Sequence, residues 1–212
     1  MSVISEINTL LQQGRSKKVK ECVSTALGEG YSPETILNEG LLEAMSEVGR
    51  KFKADEIFVP EVLIAARAMN SGLEVLRPYL VKEGIESKGT AVIGTVKGDL
   101  HDIGKNLVRM MIEGRGLTVI DLGVDVSAEQ FCDAAVEHNA RIVCCSALLT
   151  TTMTEMRAVV EEFKSRGLRD KVKIMIGGAP VTQAYCDEIG ADFYADNAAS
   201  AAELALEIVS RG

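Results

Sequence analysis

Apolar residues in the N-terminal part of the chain recur at spacings of three and four, the period of an amphipathic helix. Two short helices of this kind are predicted at about residues 3–13 and 16–29. A third is predicted to begin at Ser32-Pro33, because serine is a common N-cap and proline suits the first turn. A fourth begins near Pro60. Four helices joined by short loops predict a small antiparallel bundle.

The pattern changes after residues 81–89, a polar segment with two glycines that we interpret as a linker. Short apolar strands are then predicted at about 90–96, 117–122, 141–147, 172–177 and 192–195. Helical patterns lie at about 103–114, 127–138, 152–166, 181–189 and 197–210. Strands alternating with helices predict a parallel sheet covered on both faces, and five strands suit the flavodoxin-like order 2-1-3-4-5. We therefore expect an α/β protein with a helical domain at 1–88 and a Rossmann-like domain at 89–212.

Composition narrows the classes of partner. The 212 residues include 31 acidic and 23 basic side chains, and this net charge of -8 argues against a nucleic-acid partner. No apolar run approaches the length of a membrane span, and the N-terminus lacks a signal-peptide core, so we expect a cytoplasmic protein with no membrane partner. The five cysteines include no CxxC pair and are interpreted as reduced.

One of the two histidines, His101, lies in a glycine-flanked turn after the first predicted strand. Ligands bind at the carboxyl ends of strands in such sheets, and the loops at 146–152 and 177–180 should rim the same crevice. Asp99 is close enough in sequence to hydrogen-bond the imidazole, which would make its other nitrogen a better metal ligand. One histidine cannot build a zinc site, so the remaining ligands would have to arrive with the metal, as in a macrocycle. The alternative is that the His101–Asp99 pair only stabilises the conformation of the loop.

The glycines of this turn do not follow the common phosphate-binding motifs. Five residues separate Gly98 from Gly104 where a P-loop has four, and Asn106 replaces the hydroxyl residue that would hold magnesium. The glycines at 94, 98 and 104 also miss the GxGxxG spacing of dinucleotide-binding folds. Ser146 stands where a phospho-acceptor domain of this topology would have an aspartate.

Three motifs resemble the cobalamin-binding domain of B12-dependent methionine synthase and of corrinoid proteins from methyltransferase systems: Asp99-x-His101-x-x-Gly104, Ser146-x-Leu148 and Gly177-Gly178. Two N-terminal motifs resemble the helical cap of that family: Met45-x-x-Val48-Gly49-x-x-Phe52 and Phe58-Val59-Pro60-Glu61-Val62. The resemblance covers roughly residues 5–210.

The resemblance implies that His101 replaces the dimethylbenzimidazole of cobalamin as the lower axial ligand of cobalt. Asp99 would hydrogen-bond His101, and Thr152, where methionine synthase has serine, would extend that relay. The other implied cofactor contacts are Gly98, Leu100, Asp102 and Gly104 in the loop, and Ser146, Leu148 and Thr150 near the nucleotide tail. Gly177 and Gly178 would leave room for the tail.

The resemblance further implies that Phe52, Val59 and Val62 cover the upper face of the corrin. The match is imperfect here, because Val59 stands where methionine synthase has leucine. The same three residues also fit the apolar stripes of the helical bundle, so a core role is the alternative.

The function that the resemblance implies is that of a methyl carrier. Cob(I)alamin would take a methyl group from a substrate-specific methyltransferase, with a methylated amine, betaine, methanol or aryl methyl ether as donor. Methylcobalamin, as methyl-cobalt(III), would give it to a second methyltransferase that acts on tetrahydrofolate or a thiol such as coenzyme M. A reductive activase would be a third partner.

Two other functions would use the same pocket. One is a B12-binding regulatory or sensory module without turnover, which would normally carry an output domain. The other is the small subunit of a B12-dependent mutase, whose B12 domain shares the DxHxxG motif and the sheet but lacks the cap.

Overall fold

The chain folds into two units, which the computed structural model describes over residues 2–211. The first unit runs to Ser87 and includes Gly114–Gly116. The second comprises Lys88–Glu113 and continues from Leu117.

The N-terminal unit is helical, as predicted. Its helices are α1 (Val3–Gln12), α2 (Ser16–Gly28), α3 (Pro33–Thr35), α4 (Glu43–Lys53) and α5 (Val59–Lys82). A π-helical stretch over Ile36–Leu42 joins α3 to α4. The third predicted helix is therefore continuous, but its middle has the wider π-helical hydrogen-bond pattern. Its start is capped as expected, since the Ser32 hydroxyl accepts the Thr35 N–H at 3.1 Å.

Helix α5 is longer than its apolar stripe predicts. The linker prediction was wrong for Val81 and Lys82, which form the last residues of this helix. Pro78 lies inside α5, and the helix continues past it at the cost of one main-chain hydrogen bond. The chain turns away at Gly84, whose φ of +68° suits glycine.

The helices of this unit share one apolar core. Helix α2 packs against α5, and Gly72 permits the approach, because a Cβ there would lie 3.0 Å from Cδ2 of Leu41 and 3.1 Å from Cγ1 of Val19. Fully or almost fully buried members of the core are Ile7, Leu11, Val19, Val23, Ile36, Leu41, Met45, Val62, Met69 and Leu76.

The second unit contains a five-stranded parallel sheet in the order β2-β1-β3-β4-β5, which confirms the predicted order. The strands are β1 (Thr90–Thr95), β2 (Thr118–Asp121), β3 (Ile142–Ser146), β4 (Lys173–Gly177) and β5 (Phe193–Ala195). The helices are α6 (Ile103–Glu113), α7 (Ala128–Glu137), α8 (Met153–Ser165), α9 (Gln183–Ile189) and α10 (Ala198–Ser210), with a 3₁₀ turn at Arg169–Lys171.

The register of the sheet brings three loops to one edge. Thr95 pairs with Ser146, and Ser146 pairs with Gly177, so β1, β3 and β4 end side by side. Helix α6 packs against α10, while α7 packs against α8. The loops that follow these three strands therefore lie together at the carboxyl edge, as the sequence predicts.

Candidate functional site

The loop between β1 and α6 is fixed by hydrogen bonds at both of its ends. Gly98 has a φ of +78°, and its N–H donates to Oδ1 of Asp125 at 2.7 Å. The buried hydroxyl of Thr95 donates to the His101 carbonyl at 2.8 Å. Sequence reasoning missed both Asp125 and Thr95. A buried threonine at the end of an apolar strand was the available signal for Thr95.

Asp99 and His101 form the hydrogen-bonded pair that the sequence predicts. Nδ1 of His101 lies 2.7 Å from Oδ1 of Asp99, which also accepts the His101 N–H at 3.1 Å. Asp99 has no exposed surface, whereas 51% of the His101 side chain is exposed. The carboxylate is therefore buried behind an imidazole that still presents its outer edge.

The second oxygen of Asp99 joins this loop to the one after β3. Oδ2 accepts the Thr152 hydroxyl at 2.8 Å, the Leu148 N–H at 2.8 Å and the Leu149 N–H at 3.3 Å. Thr152 precedes α8 but its side chain does not cap that helix. Its hydroxyl instead lies within hydrogen-bond distance of Asp99 and of the Leu149 carbonyl, at 2.9 Å.

These contacts determine the charge of the Asp99 carboxyl. Burial by itself would raise its pKa, but hydrogen bonds from Leu148, His101 and Thr152 outweigh burial and hold the pKa well below its usual range. Asp99 is consequently ionised at neutral pH, and its Oδ1 accepts a hydrogen bond from the Nδ1–H of His101. The lone pair of the imidazole is then on Nε2, at the exposed edge of the ring.

Two adjoining cavities open beside His101. One of about 250 Å³ is lined by the loop from Leu100 to Gly104 and by the loop after β3. The other, of about 300 Å³, lies over the ends of β1, β3 and β4, against α6 and α10. Both have Gly104, Ser146 and Gly178 in their walls, so they adjoin. Apolar residues make up most of the second wall, among them Ile93, Leu107, Val108, Cys144, Met175, Ile176 and Ala201.

The double glycine lines the second cavity and also lies close to neighbouring backbone. A Cβ on Gly178 would lie 1.9 Å from the Ala147 carbonyl oxygen, and its φ is +133°. A Cβ on Gly177 would lie 3.1 Å from the Ala195 carbonyl oxygen. Backbone packing therefore requires glycine at position 178, whatever space the pair also leaves for a nucleotide tail.

Four large apolar side chains are exposed around His101. Leu100 is 72% exposed and Ile103 76%, while Leu148 and Leu149 across the crevice are each over 40% exposed. Clusters of exposed apolar surface of this kind mark binding sites.

A buried lysine in the wall of the second cavity is paired with a more exposed carboxylate. Lys105 is 3% exposed, and its ammonium group contacts Oδ1 of Asp121 at the end of β2. Burial would raise the pKa of Asp121, but Lys105 and the Gly123 N–H lower it. Nε of Arg109 lies 3.6 Å from Oδ2 of the same carboxylate. No sequence motif indicates this role of Lys105, because Asp121 lies 16 positions away on strand β2.

The remaining predicted residues are distributed more widely. Asp102 lines the first cavity and accepts the Asn106 side-chain amide at 3.0 Å. Thr150 is exposed and belongs to neither cavity wall. In the N-terminal unit, Phe52 and Val59 are half-buried, and Val62 is fully buried. The neighbouring Phe58, which was not assigned a role, is 65% exposed.

The described residues contain no group of three or more His, Cys, Asp or Glu side chains placed to hold a metal ion. The cysteines are free, and burial raises the pKa of the Cys144 thiol to about 12. Over residues 2–211, no helix has both the length and the apolar character needed to cross a membrane.

Comparisons with known proteins agree with this geometry. Residues 89–203 and residues 3–77 match two family models, each described as a B12 binding domain. The chain is 41% identical to a corrinoid protein of Desulfitobacterium hafniense, over 100% of this chain and 99% of the relative. It is 45% identical to trimethylamine corrinoid protein 1 of Methanosarcina acetivorans, over 84% of this chain and 83% of the relative.

A solved structure shows the same fold. The methanol:cobalamin methyltransferase complex of Methanosarcina barkeri matches with a TM-score of 0.89 at 30% identity, covering 99% of this chain and 80% of that chain. The chain therefore belongs to the cobalamin-binding corrinoid proteins of methyltransferase systems, and its cofactor is a corrinoid.

Proposed function

We propose that this chain is a methyl-group carrier, in which His101 replaces the dimethylbenzimidazole of cobalamin as the lower axial ligand of cobalt. The observation that carries the proposal is the Asp99–His101 pair. The 2.7 Å contact occupies Nδ1 and leaves Nε2 at the exposed edge of the ring, next to a cavity. A carboxylate behind a metal-binding imidazole sets its tautomer and raises its basicity.

Three features of the second unit fit a corrinoid. The single histidine at the cavity, His101, suits a metal whose other ligands belong to a macrocycle, since the described residues offer no cluster of protein ligands. The adjoining cavities of about 250 and 300 Å³ suit a displaced nucleotide tail. The exposed side chains of Leu100, Ile103 and Leu148 suit the apolar face of a large ring.

A bound corrinoid supplies a cobalt centre that accepts a methyl group from one enzyme and passes it to another. The protein's part is to hold His101 and to adjust the charge behind it. The single hydroxyl hydrogen of Thr152 can go either to Oδ2 of Asp99 or to the Leu149 carbonyl. This choice changes how much negative charge Asp99 presents to the imidazole, and so links the ligand to a proton position.

Recognition of the tail is assigned to the cavity walls. Ser146 contributes to both walls, so we assign its hydroxyl to the tail. Gly98, Asp102 and Gly104 shape the loop around it. Thr150 keeps its proposed contact only if the tail reaches the exposed end of the second loop.

In the N-terminal unit, we assign the upper face of the corrin to Phe52 and Val59. Both retain exposed surface, and Phe58 beside them offers more. Val62 has none in this structure, so its proposed contact requires the helices around it to rearrange.

Two methyltransferases complete the proposed reaction sequence. The first takes the methyl group from its donor, and we favour a methylated amine because relatives 45% identical to this chain are trimethylamine and dimethylamine corrinoid proteins. The second delivers it to tetrahydrofolate or a thiol such as coenzyme M, and a reductive activase restores the reduced metal.

The absorption spectrum of the cobalamin-loaded protein tests the histidine assignment. Wild type should show a base-off, histidine-ligated spectrum, and His101→Ala should lose the histidine signature. His138→Ala is the matched control, because the other histidine lies at the end of α7 and should leave the spectrum unchanged. An unchanged spectrum for His101→Ala would refute the ligand, and a wild type that takes up no corrinoid would refute the carrier.

The donor is tested with purified methyltransferases for trimethylamine, dimethylamine and methanol. Each is mixed with loaded, reduced protein, and methylation is followed by absorbance. We expect an amine enzyme to methylate the protein at least about tenfold faster than the methanol enzyme, a difference of about 1.4 kcal/mol in barrier. Faster methylation by the methanol enzyme would reverse the donor assignment.

A further inference from the structure

A third cavity, of about 380 Å³, lies at the amino-terminal edge of the sheet. Arg141 precedes β3 and Lys171 precedes β4, so this edge is the one opposite to the His101 loop. Its wall consists of Arg141, Asp170, Lys171, Val172, Lys173, Phe193, Ile208 and Arg211. All of these residues belong to the C-terminal unit. None of them was assigned a role in corrinoid binding.

The charge of this wall is opposite to that of the whole chain. Four cationic side chains and one carboxylate line the cavity, whereas the chain carries 31 acidic and 23 basic residues. Lys173 contacts Asp192 at 3.4 Å, and that carboxylate also binds Arg169 at 2.8 Å. Arg211 pairs with Glu207. Cations remain in excess when these neighbouring carboxylates are included.

Arg141 adds a charge that is held in position. Its guanidinium donates to the carbonyls of Ile208 and Val209, at 3.3 and 3.4 Å, at the C-terminal end of α10. These partners are carbonyl dipoles and carry no full charge, so the cation remains available to an anion. Its side chain is half-buried, where screening by solvent is weaker than at an open surface.

The cavity also has an apolar side. Phe193 on β5 is half-buried, and Val172 and Ile208 beside it are almost fully buried. A volume of about 380 Å³ falls within the range of small-molecule sites, which combine apolar walls with a few placed polar groups. Lysines and arginines around an aromatic ring are suited to a ligand that carries both phosphate and a planar group.

We propose that this cavity binds a nucleotide, with the phosphates held by Arg141, Lys171 and Lys173 and the base against Phe193. The site lies at the opposite edge of the sheet from His101, so a nucleotide there leaves the corrinoid site open.

Isothermal titration calorimetry of the cobalamin-loaded full chain tests the proposal, with ATP, inorganic pyrophosphate and adenosine as probes. We expect ATP to bind about tenfold more tightly than pyrophosphate, and adenosine to show no measurable heat. Lys171→Gln and Lys173→Gln should each raise the Kd for ATP about fivefold, which is the effect expected from losing one partly screened ion pair. Lys17→Gln, an exposed lysine of α2, is the matched control and should change nothing.

Several results would overturn this assignment. If titration with millimolar ATP releases no measurable heat, the cavity does not bind nucleotide. If Lys17→Gln weakens ATP binding as much as the cavity variants do, the binding reflects overall charge and not this cavity. Pyrophosphate as tight as ATP, with no effect of Phe193→Leu, would refute the nucleotide. An acidic peptide that binds more tightly than ATP would make the cavity a protein-docking site. The corrinoid spectrum of each variant is recorded in parallel. It tests the methyl-carrier proposal independently, so a failure of nucleotide binding can be told apart from a failure of corrinoid binding.

Discussion

Replacing Asp99 by asparagine exchanges one carboxylate oxygen for an NH₂ group inside a fully hydrogen-bonded site. The carboxylate accepts five hydrogen bonds, three of them from the backbone N–H groups of His101, Leu148 and Leu149. An NH₂ group at the Oδ2 position would leave the Leu148 and Leu149 N–H groups without an acceptor. At the Oδ1 position it would face the backbone N–H of His101 and the Nδ1–H of its ring, but the ring proton can move to Nε2. Only one backbone N–H then lacks an acceptor, so this orientation is the cheaper one.

The cost follows from this orientation. One buried N–H without an acceptor costs roughly 1–3 kcal/mol, and the remaining bonds lose charge assistance that roughly doubles their strength. We therefore expect Asp99→Asn to lower the free energy of unfolding of the C-terminal unit by about 2–4 kcal/mol. The NH₂ group would also donate to Nδ1 of His101 and shift the ring proton to Nε2. The variant should consequently lose the histidine-ligated cobalamin spectrum.

Urea unfolding of the corrinoid-free full chain measures the cost. Circular dichroism follows the transition, and hydrogen exchange of the β1 and β3 peptides reports the C-terminal unit by itself. Asp187→Asn is the control, because this exposed side chain has one hydrogen bond, from Gln183, and its loss should cost less than about 0.5 kcal/mol. A change of that small size in Asp99→Asn would refute the reasoning.

The pH dependence gives an independent check. The pKa of Asp99 lies well below its unfolded value, so its stabilisation is present above about pH 4 and is lost as the pH falls towards the folded pKa. The difference between wild type and Asp99→Asn should thus stay constant from about pH 5 to pH 8. A difference that already disappears near about pH 6 would show that the carboxylate is not held ionised by these donors.

Two further predictions concern backbone packing and thiols. Gly178→Ala should lower the melting temperature by at least about 8 °C in a thermal scan, or prevent folding, since its Cβ would lie 1.9 Å from a carbonyl oxygen, while Gly177→Ala, at 3.1 Å, should cost much less. A melting temperature for Gly178→Ala equal to that of wild type would contradict this geometry. With a thiol reagent at pH 8, half-exposed Cys22 should react first and buried Cys144, whose pKa is raised to about 12, only on unfolding, as peptide mapping would show.

Much of the fold follows from local patterns. Helical and strand periodicities depend on residues a few positions apart, so the elements of both units could be located from the sequence. The strand order also follows, because parallel strands need crossover helices and five-stranded sheets of this kind favour few arrangements. The exceptions are the π-helical stretch at Ile36–Leu42 and the passage of α5 through Pro78, where packing overrides local preference.

In the site, too, contacts within one turn could be predicted from the sequence, whereas most contacts between distant segments could not. The sequence by itself singled out His101 and Asp99, since two residues in one turn can meet without help from the rest of the chain. Thr152, 53 positions from Asp99, was joined to this pair by family resemblance, and the tertiary structure places its hydroxyl on the Asp99 carboxylate. Only the tertiary structure shows the Lys105–Asp121 pair and the approach of Ala147 to Gly178. These contacts join separate strands and loops, and distance along the chain carries no information about them until the sheet register is known.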